Sequence, residues 1–469
     1  MADMRSRDGR AADDGAVASR LARMSNTLDS RLGLRADARK TANKVFPSNW
    51  SFLLGEVAVF ALVILVLTGT FLTFFYRPNV ESVTYIGSNP IFTGRQLPAA
   101  FESIVRLSSD VNGGLLFRRL HRGASHLFIA TVVLHMLRVL LTGAFRRPRE
   151  VNYFVGIGLL TLAFGAGFTG YSLPYDSLAG TGIRIAYTQL LSLPLIGDRV
   201  AFWVFGGAFP TGDVIPRFFV LHVMLLPAAL IGAVGLHLFI VYRQKHTQFP
   251  RLGVDGHRLV IGKPLWPSQF VESTTLFLWT GGLVAASAVL IPWSDVTLLG
   301  PYIPGEVGNN AQPDWFLFWL EGALRIFPPV EFGIPGIIVI SGPFVAGIVL
   351  PGLIFTFLGL YPFLEKRVYN LEGEWHVLQN PLEIPLRAAT MLGVFSALLI
   401  LSAAATNDIL SRMFGIPVEV MTWMFRIAVI VVPVALGFAI ARYSRRRLAR
   451  RDMRVPATEA EEQQRYIAA

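Results

Sequence analysis

Eight runs of apolar residues fall at roughly 51–76, 122–144, 152–173, 218–241, 274–292, 336–361, 387–405 and 420–441. Each is long enough to cross about 30 Å of hydrocarbon as a helix of about 20 residues. An even number of spans returns both termini to one side. The links on that side carry Arg146, Arg147 and Arg149, then Arg243, Lys245, Arg251, Arg258 and Lys263, then Lys366 and Arg367, whereas the 293–335 link on the other side has only Arg325. A basic excess marks the cytoplasmic side of a membrane, so both termini are expected in the cytoplasm. The outer links (77–117, 174–217 and 293–335) are the long ones, rich in Gly, Pro and aromatic residues, and links of that length usually hold function. The pattern predicts an all-α polytopic membrane protein with eight transmembrane helices, without solenoid repeat or low-complexity tract.

Composition supports this reading and removes several chemistries. The 469 residues are 53% hydrophobic and 16% charged, too apolar for a chain that stays dissolved in water. There is no Cys, which excludes structural disulfides, thiolate metal sites, iron–sulfur ligation and haem attached through thioethers. Any metal is held by His or a carboxylate. The net charge of +11 sits mainly at the two ends, residues 1–49 carrying +4 and residues 442–469 another +4. Basic segments beside spanning helices contact anionic lipid headgroups on the cytoplasmic face, so membrane lipid is the expected partner of this charge and nucleic acid is set aside. The N-terminal stretch lacks the apolar core of a secretory signal and is expected to be a cytoplasmic extension, helical in part or disordered.

The eight histidines are His121, His126, His135, His222, His237, His246, His257 and His376. Four of them form a pattern. His121 and His135 lie 14 apart on the second span, and His222 and His237 lie 15 apart on the fourth. Fourteen helical residues at about 1.5 Å each separate two members by about 21 Å along the axis, on nearly the same face. The second and fourth spans run in the same direction, so His121 is level with His222 near the outer surface and His135 with His237 further in. Two helices so arranged can hold two haems edge-on between them as the first four spans form a bundle, each iron taking one imidazole from each helix. Arg118 and Arg138 stand one turn from His121 and His135, where a guanidinium can meet a haem propionate. Gly55 and Gly69 on the first span, and Gly156 and Gly170 on the third, are again 14 apart and remove side chains where a macrocycle lies against backbone. One intramembrane His alone would read as a helix–helix hydrogen bond; two pairs at matched depth read differently. His126 has no partner at a matching interval and reads as a packing or outer-surface residue, while His257 and His376 read as solvated residues of inner loops.

The residues resemble a known family, the cytochrome b subunit of cytochrome bc complexes (quinol:cytochrome c oxidoreductases), over about 45–440. The likeness rests on Arg118-Arg119-Leu120-His121, the two histidine pairs, Gly170-Tyr171-Ser172-Leu173-Pro174, and Pro313-Asp314-Trp315-Phe316, which is similar to the family's Pro-Glu-Trp-Tyr quinol motif. The 14/15 spacing, His121-Arg122 and the stretch from Leu141 to Glu150 look like the b6 branch. That branch is normally split in two and carries an extra haem on a Cys, and a fused chain without Cys departs from it. The basic tail and Lys245-His246-Thr247-Gln248-Phe249-Pro250 look most like the actinobacterial form, and the ratio of 37 Arg to 5 Lys fits a GC-rich genome.

The resemblance implies a protein of the bacterial cell membrane in four parts: a cytoplasmic basic extension (1–45), a dihaem four-helix domain (46–263), a C-terminal membrane domain of four helices with the quinol loop (264–441) and a cytoplasmic basic tail (442–469). It implies two non-covalent haem b groups, each held by two histidines, and a Q cycle. Quinol, menaquinol by the actinobacterial likeness, is oxidised near the outer face; one electron goes to a Rieske iron–sulfur subunit and the other crosses through the haems to quinone near the inner face. The implied partners are the Rieske subunit, a cytochrome c subunit and a second copy in a homodimeric complex, with a supercomplex with cytochrome c oxidase left open.

Within the outer site, Pro313 and Asp314 can begin a short helix. Asp314, in an apolar and aromatic setting that raises a carboxyl pKa, is the first choice of proton acceptor from quinol, with a helix cap as its other reading. Asp is one methylene shorter than the family's Glu, and Glu321, seven residues on, is expected to share or relay the proton. Trp315, Phe316, Tyr171 and Gly182 are expected around the pocket. At the inner site Glu56 is a carboxylate at a span end, costly unless paired or functional; Tyr242 stands where relatives place a quinone contact, and Lys245, His246 and Glu272 fall in the same region. Three other readings compete: a b6f-type quinol:plastocyanin subunit, disfavoured by the fused chain without Cys; a dihaem membrane anchor of a dehydrogenase, which would not need Pro313–Phe316; and a solute transporter, which would show broken spans at midplane.

Overall fold

The structure is a computed structural model that describes residues 29–250, 255–256, 259–293, 295–306, 312–334, 338–370 and 373–452, with 19, 23, 24, 26 and 27. Much of the N-terminal extension, His257 and the tail beyond 452 lie outside the described residues. Among the described residues, eight helices are long and apolar enough to cross a membrane: Trp50–Thr73, Gly114–Thr142, Glu150–Ser172, Val214–Gln244, Leu265–Leu290, Gly342–Tyr369, Pro385–Ala404 and Val418–Arg450. They are the first to eighth spans. Hydrocarbon offers no water to an open backbone group, so a crossing segment closes its own hydrogen bonds as a helix. The face of the bundle at which the first span begins and the eighth ends is the proximal face, and the other is the distal face.

The second span begins at Gly114, well before the apolar run near 122. Arg118, Arg119 and Arg122 break the run in sequence, yet this turn packs inside the bundle, Arg118 being 8% exposed. The fourth span holds a finer departure. Its backbone widens into a π-turn at Leu221–Leu225, directly ahead of Pro227. Proline has no N–H to return to the preceding turn, which opens the ladder at that point. The wide turn takes up one residue, so the 15-residue interval between His222 and His237 presents like the 14-residue interval of the second span.

The long distal links are largely helical rather than open. They hold the helices Ala99–Ser109, Ser177–Leu191, Gly197–Phe205 and Phe318–Ile326, and a short antiparallel pair of Ser82–Thr84 with Gln96–Pro98. Asp176 starts the second of these helices by accepting from the Ala179 amide at 2.8 Å, which satisfies one of the amides a helix start leaves open. These pieces are too short or too polar to register as spans. On the proximal side Val45–Phe46 pairs with Lys263–Pro264 and ties the start of the first span to the start of the fifth.

Ala58, Ala61, Leu62, Phe128, Ile129, Ala163 and Leu230 from the first four spans close a core around Phe316. The outward surface is equally apolar: Leu67, Phe239, Trp279 and Val434 are all exposed, as lipid contact requires. Several charges near the proximal face are buried and paired. Arg387 at the start of the seventh span meets Glu365 near the end of the sixth through two bonds, one of them Nε to Oε2 at 2.9 Å, and each side chain is 1% exposed. Arg146 and Arg149, which in the sequence mark the cytoplasmic side, are buried clasps: they donate to the Val377 and Trp375 carbonyls at 2.9 and 2.7 Å. Burial pulls their guanidiniums down to about 9 and about 10, so both stay charged at neutral pH. His376, expected to be solvated, lies against Arg149 with Nδ1 2.9 Å from Nη2.

Breaking one side of a buried ion pair leaves a bare charge and costs about 3–5 kcal/mol. Arg387→Met is expected to lower the thermal unfolding midpoint clearly, and Glu365→Gln added to it is expected to recover part of the loss; differential scanning calorimetry of the purified protein reads both.

Candidate functional site

Four imidazoles face one another in two tiers. The ring centres of His121 and His222 are 6.2 Å apart with 79° between planes, and those of His135 and His237 are 6.5 Å apart with 76°. An imidazole nitrogen binds a metal at about 2 Å and lies about 1 Å from its ring centre, so two rings sharing one metal stand about 6 Å apart. Among the described residues no three His, Asp or Glu side chains converge, and each tier therefore offers two nitrogens. Two imidazole nitrogens would suit an iron that a porphyrin otherwise holds; a bare zinc ion takes four protein or water ligands.

Neighbouring spans prepare the rings. A Cβ at Gly69 would lie 3.1 Å from Cε1 of His121, one at Gly55 3.3 Å from His135 and one at Gly156 3.9 Å from His237, while one at Gly170 would run into His222. At Gly69, Gly55 and Gly170 a larger residue would act as a wedge against the ring, whereas at Gly156 it would only make ordinary contact with His237. The Thr68 hydroxyl gives its hydrogen to the Ile64 carbonyl at 2.6 Å and accepts from Nδ1 of His121 at 2.9 Å; the Ala166 carbonyl accepts from Nδ1 of His222 at 3.0 Å. A hydrogen on Nδ1 leaves the Nε2 lone pair for a metal. Beside the rings, Arg118 donates to Ser108 Oγ at 2.7 Å, and Arg138 lies over the Phe52 ring at 5.1 Å with its Nε buried and unpartnered. Such a guanidinium is suited to an anionic group entering with the ligand.

The proximal tier opens into a cavity of about 720 Å³ lined by His135, His237, Gly55, Gly156 and Arg138, within the usual range for a small-molecule site. The same cavity reaches Glu56, Lys245, His246 and Glu272. Glu56 accepts from Gln269 Nε2 at 3.1 Å and from Ser273 Oγ at 2.8 Å. Burial, helped by Lys44 and Arg149, takes His246 down to about 4, so its ring, packed 4.6 Å from that of Phe46, is neutral at pH 7. Glu272 is ion-paired with Lys263. Tyr242 is left out of the lining: Lys44 sits 3.4 Å above its ring, and the Thr41 hydroxyl is 3.4 Å from its own. Phe46 to Trp50, which sequence reasoning did not single out, supply one wall. Nothing in their residue types announces this, because the strand pairing to Lys263–Pro264 places them.

At the distal tier Pro313-Asp314 leads into a short 3-10 turn, Trp315–Leu317, and then the helix Phe318–Ile326. The Asp314 side chain caps neither; Arg122 of the second span forms an ion pair with it. Asp314 is 8% exposed, and burial pushes its carboxyl above the ordinary 3.8 against the smaller downward pull of Arg122. Trp315 donates its indole N–H to Nδ1 of His126 at 2.8 Å, so His126 contacts the motif directly and is more than a packing residue. Phe316, expected as a pocket wall, is 3% exposed in the core of the bundle; the tight 3-10 turn sends it inward. The Tyr171 hydroxyl donates to the Leu178 carbonyl at 2.6 Å, and its ring lies where a Cβ on Gly182 would be 2.7 Å away. Asp176, Asp314 and Glu321 all lie within electrostatic reach of Tyr171. Glu321 is held by Arg325 at 2.8 Å, and Arg325 by Asp408 at 2.9 Å. Arg122 and His126 are the distal residues that sequence reasoning passed over; their spacing of one turn beside His121 was the available signal.

Comparisons with known proteins identify the family. A family model described as cytochrome b (N-terminal)/b6/petB matches residues 126–301, which include His135, His222 and His237. The cytochrome bc1 complex cytochrome b subunit of Streptomyces coelicolor is 37% identical over 420 residues, covering 90% of this chain and 77% of that protein. The subunits of the same name from Mycobacterium tuberculosis and Corynebacterium diphtheriae are 39% and 38% identical, covering 90% and 91% of this chain and 77% and 78% of theirs. Among solved structures, a chain of a hyperthermophilic respiratory complex III superposes with a TM-score of 0.64 at 19% identity, covering 89% of this chain and 99% of that one. With more than a third of its residues shared along nine-tenths of its length, the chain belongs to the cytochrome b subunit family of cytochrome bc1 complexes, part of quinol–cytochrome c reductase.

Proposed function

We propose that this chain oxidises a quinol beside Asp314 at the distal face and reduces a quinone in the proximal cavity, with two non-covalent haem b groups held by His121 with His222 and by His135 with His237. The observation that carries the reading is the pair of facing imidazole tiers, one next to the Pro313–Phe316 segment and the other opening into the cavity. When bound, the two haems supply one-electron carriers at two depths, so one electron of the quinol can cross the bilayer while the other leaves through a Rieske iron–sulfur subunit towards a cytochrome c subunit. The distal face is then the outer face of a bacterial cell membrane, and both termini are cytoplasmic. The actinobacterial relatives favour menaquinol as the substrate. The complex is taken to be homodimeric.

The chain's own residues then have separate tasks. Asp314, its carboxyl pKa raised by burial and its charge matched by Arg122, is the acceptor for a quinol hydroxyl proton. Glu321, Arg325 and Asp408 form a charged chain near it through which a proton can be shared or passed on. Tyr171, propped by Gly182, walls the same region. On the proximal side Glu56, oriented by Gln269 and Ser273, is the carboxylate best placed to give a proton to reduced quinone. Lys245 and Glu272 stand at the same cavity, while neutral His246 can hydrogen-bond there without adding charge. Moving a charge across the membrane potential costs about 2.3 kcal/mol per 100 mV, and quinol oxidation supplies that work.

His121→Ala and His135→Ala are each expected to lose one of two b haems, a different one in each case, in a reduced-minus-oxidised spectrum with pyridine-haemochrome quantification; two haems retained in both variants would defeat the assignment. Asp314→Asn is expected to slow quinol oxidation by about a hundredfold, the lower range for a positioned acid–base group. Because Asp314 accepts only when ionised and its pKa lies above the ordinary 3.8, the wild-type rate should rise with pH through that raised value and level off, and the acid limb should vanish in the variant. Glu321→Gln is expected to lower turnover at saturating quinol with haem content unchanged; normal turnover would remove Glu321 from the proton path.

A further inference from the structure

The distal motif is fixed to the bundle at three successive residues. Asp314 is paired with Arg122, Phe316 is locked in the core, and Trp315 between them is 40% exposed. Burial does not hold Trp315. Its indole N–H donates to Nδ1 of His126 at 2.8 Å, and the His126 ring lies 4.6 Å from the ring of Trp293, which belongs to the link between the fifth and sixth spans. Arg122 and His126 are four residues apart on the second span and so share one face. One helical turn therefore grips two consecutive residues of the motif, and it is the turn that begins at His121.

The chemistry of the contact is selective. A neutral imidazole has one N–H, and an Nδ1 that accepts from Trp315 must leave its hydrogen on Nε2. The other tautomer and the imidazolium both carry hydrogen at Nδ1 and would repel the indole. Asp314 has an extended backbone, φ −62° and ψ 146°, and the chain turns into the 3-10 helix at Trp315. The direction in which the Asp314 carboxyl leaves the backbone thus depends on where Trp315 is held, whereas the Arg122 ion pair sets charge with less demand on direction.

We propose that His126 is a positioning residue for quinol oxidation, holding the Trp315 indole so that the Asp314 carboxylate, paired with Arg122 from the same helical turn, faces the quinol hydroxyl. This rests on the reading of the distal face as the quinol-oxidation site. His126 acts through Trp315 and touches no reacting atom.

The test uses the intact complex with His126→Leu, His126→Asn, Trp315→Phe and the double variant His126→Leu/Trp315→Phe. It measures quinol kcat and KM beside haem content. Asn places its Oδ1 where Nδ1 stood and can still accept from the indole. His126→Leu and Trp315→Phe are each expected to lower kcat/KM about three- to tenfold, the size of one lost hydrogen bond, with both haems retained. The double variant should be no worse than the single ones, because the two residues share one interaction, and His126→Asn should recover at least half of the wild-type value. A packing role alone would leave His126→Asn and His126→Leu alike, and that result overturns the proposal, as do multiplying effects in the double variant. Should His126→Leu lose haem, Trp315→Phe decides: wild-type kcat/KM in that variant with haems intact also overturns it. Asp314→Asn separates this from the broader reading. If Asp314→Asn is impaired and the His126 and Trp315 variants are not, only the positioning role falls; if none is impaired, the distal quinol site itself falls.

Discussion

Two helices can present two pairs of facing imidazoles only if their registers agree at both depths. A helix turns by about 100° and rises about 1.5 Å per residue, so one residue too many swings a side chain away from its partner. The second span meets this with 14 residues between histidines and the fourth with 15 and a π-turn beside Pro227. Ring-centre distances of 6.2 and 6.5 Å at the two tiers show that the registers match. The glycines of the first and third spans serve the same condition. They let backbone approach where the rings lie, and they are placed at the same 14-residue interval.

Charge in and near the apolar bundle follows one rule. A charged group taken from water needs a partner close at hand, and several here have partners that also join separate parts of the chain. Arg387 with Glu365 ties the seventh span to the sixth. Arg146 and Arg149 stitch the link between the second and third spans to residues 375–377. Arg122 with Asp314 ties the second span to the distal motif. Polar pairing thus does the joining that the hydrophobic effect cannot do between helices already in lipid. The two ends of the bundle use it differently: Arg149 lines the proximal cavity, and the distal pair holds a carboxylate whose proton affinity burial has raised.

Much of the site could be read from the chain because its chemistry is periodic. Intervals of 14 and 15 residues in helices translate directly into depth and face, and the paired His121/His222 and His135/His237 tiers stand where those intervals place them. Cavity membership was legible in part: Glu56, Lys245, His246 and Glu272 share one cavity, while Tyr242 is drawn aside by Lys44 and Thr41. Phe316 escaped because a 3-10 turn has three residues per turn, and this changes which of the adjacent aromatics Trp315 and Phe316 faces inward. The His126 contact with Trp315 joins residues 189 apart, and no local pattern encodes it.

The sequence by itself determined the number of spans, the absence of thiolate chemistry, and the four histidines and their depths. These follow from apolar length, residue type and helical periodicity, which are properties of a segment and its immediate neighbours. The tertiary structure alone decided which charges are buried and paired, which residues wall the proximal cavity, how the extra residue of the fourth span is absorbed, and what holds Asp314 and Trp315. Those depend on atoms brought together from segments far apart in the chain. A side chain's partner in a packed bundle is set by the helix that happens to lie across from it, and that placement is a property of the whole fold.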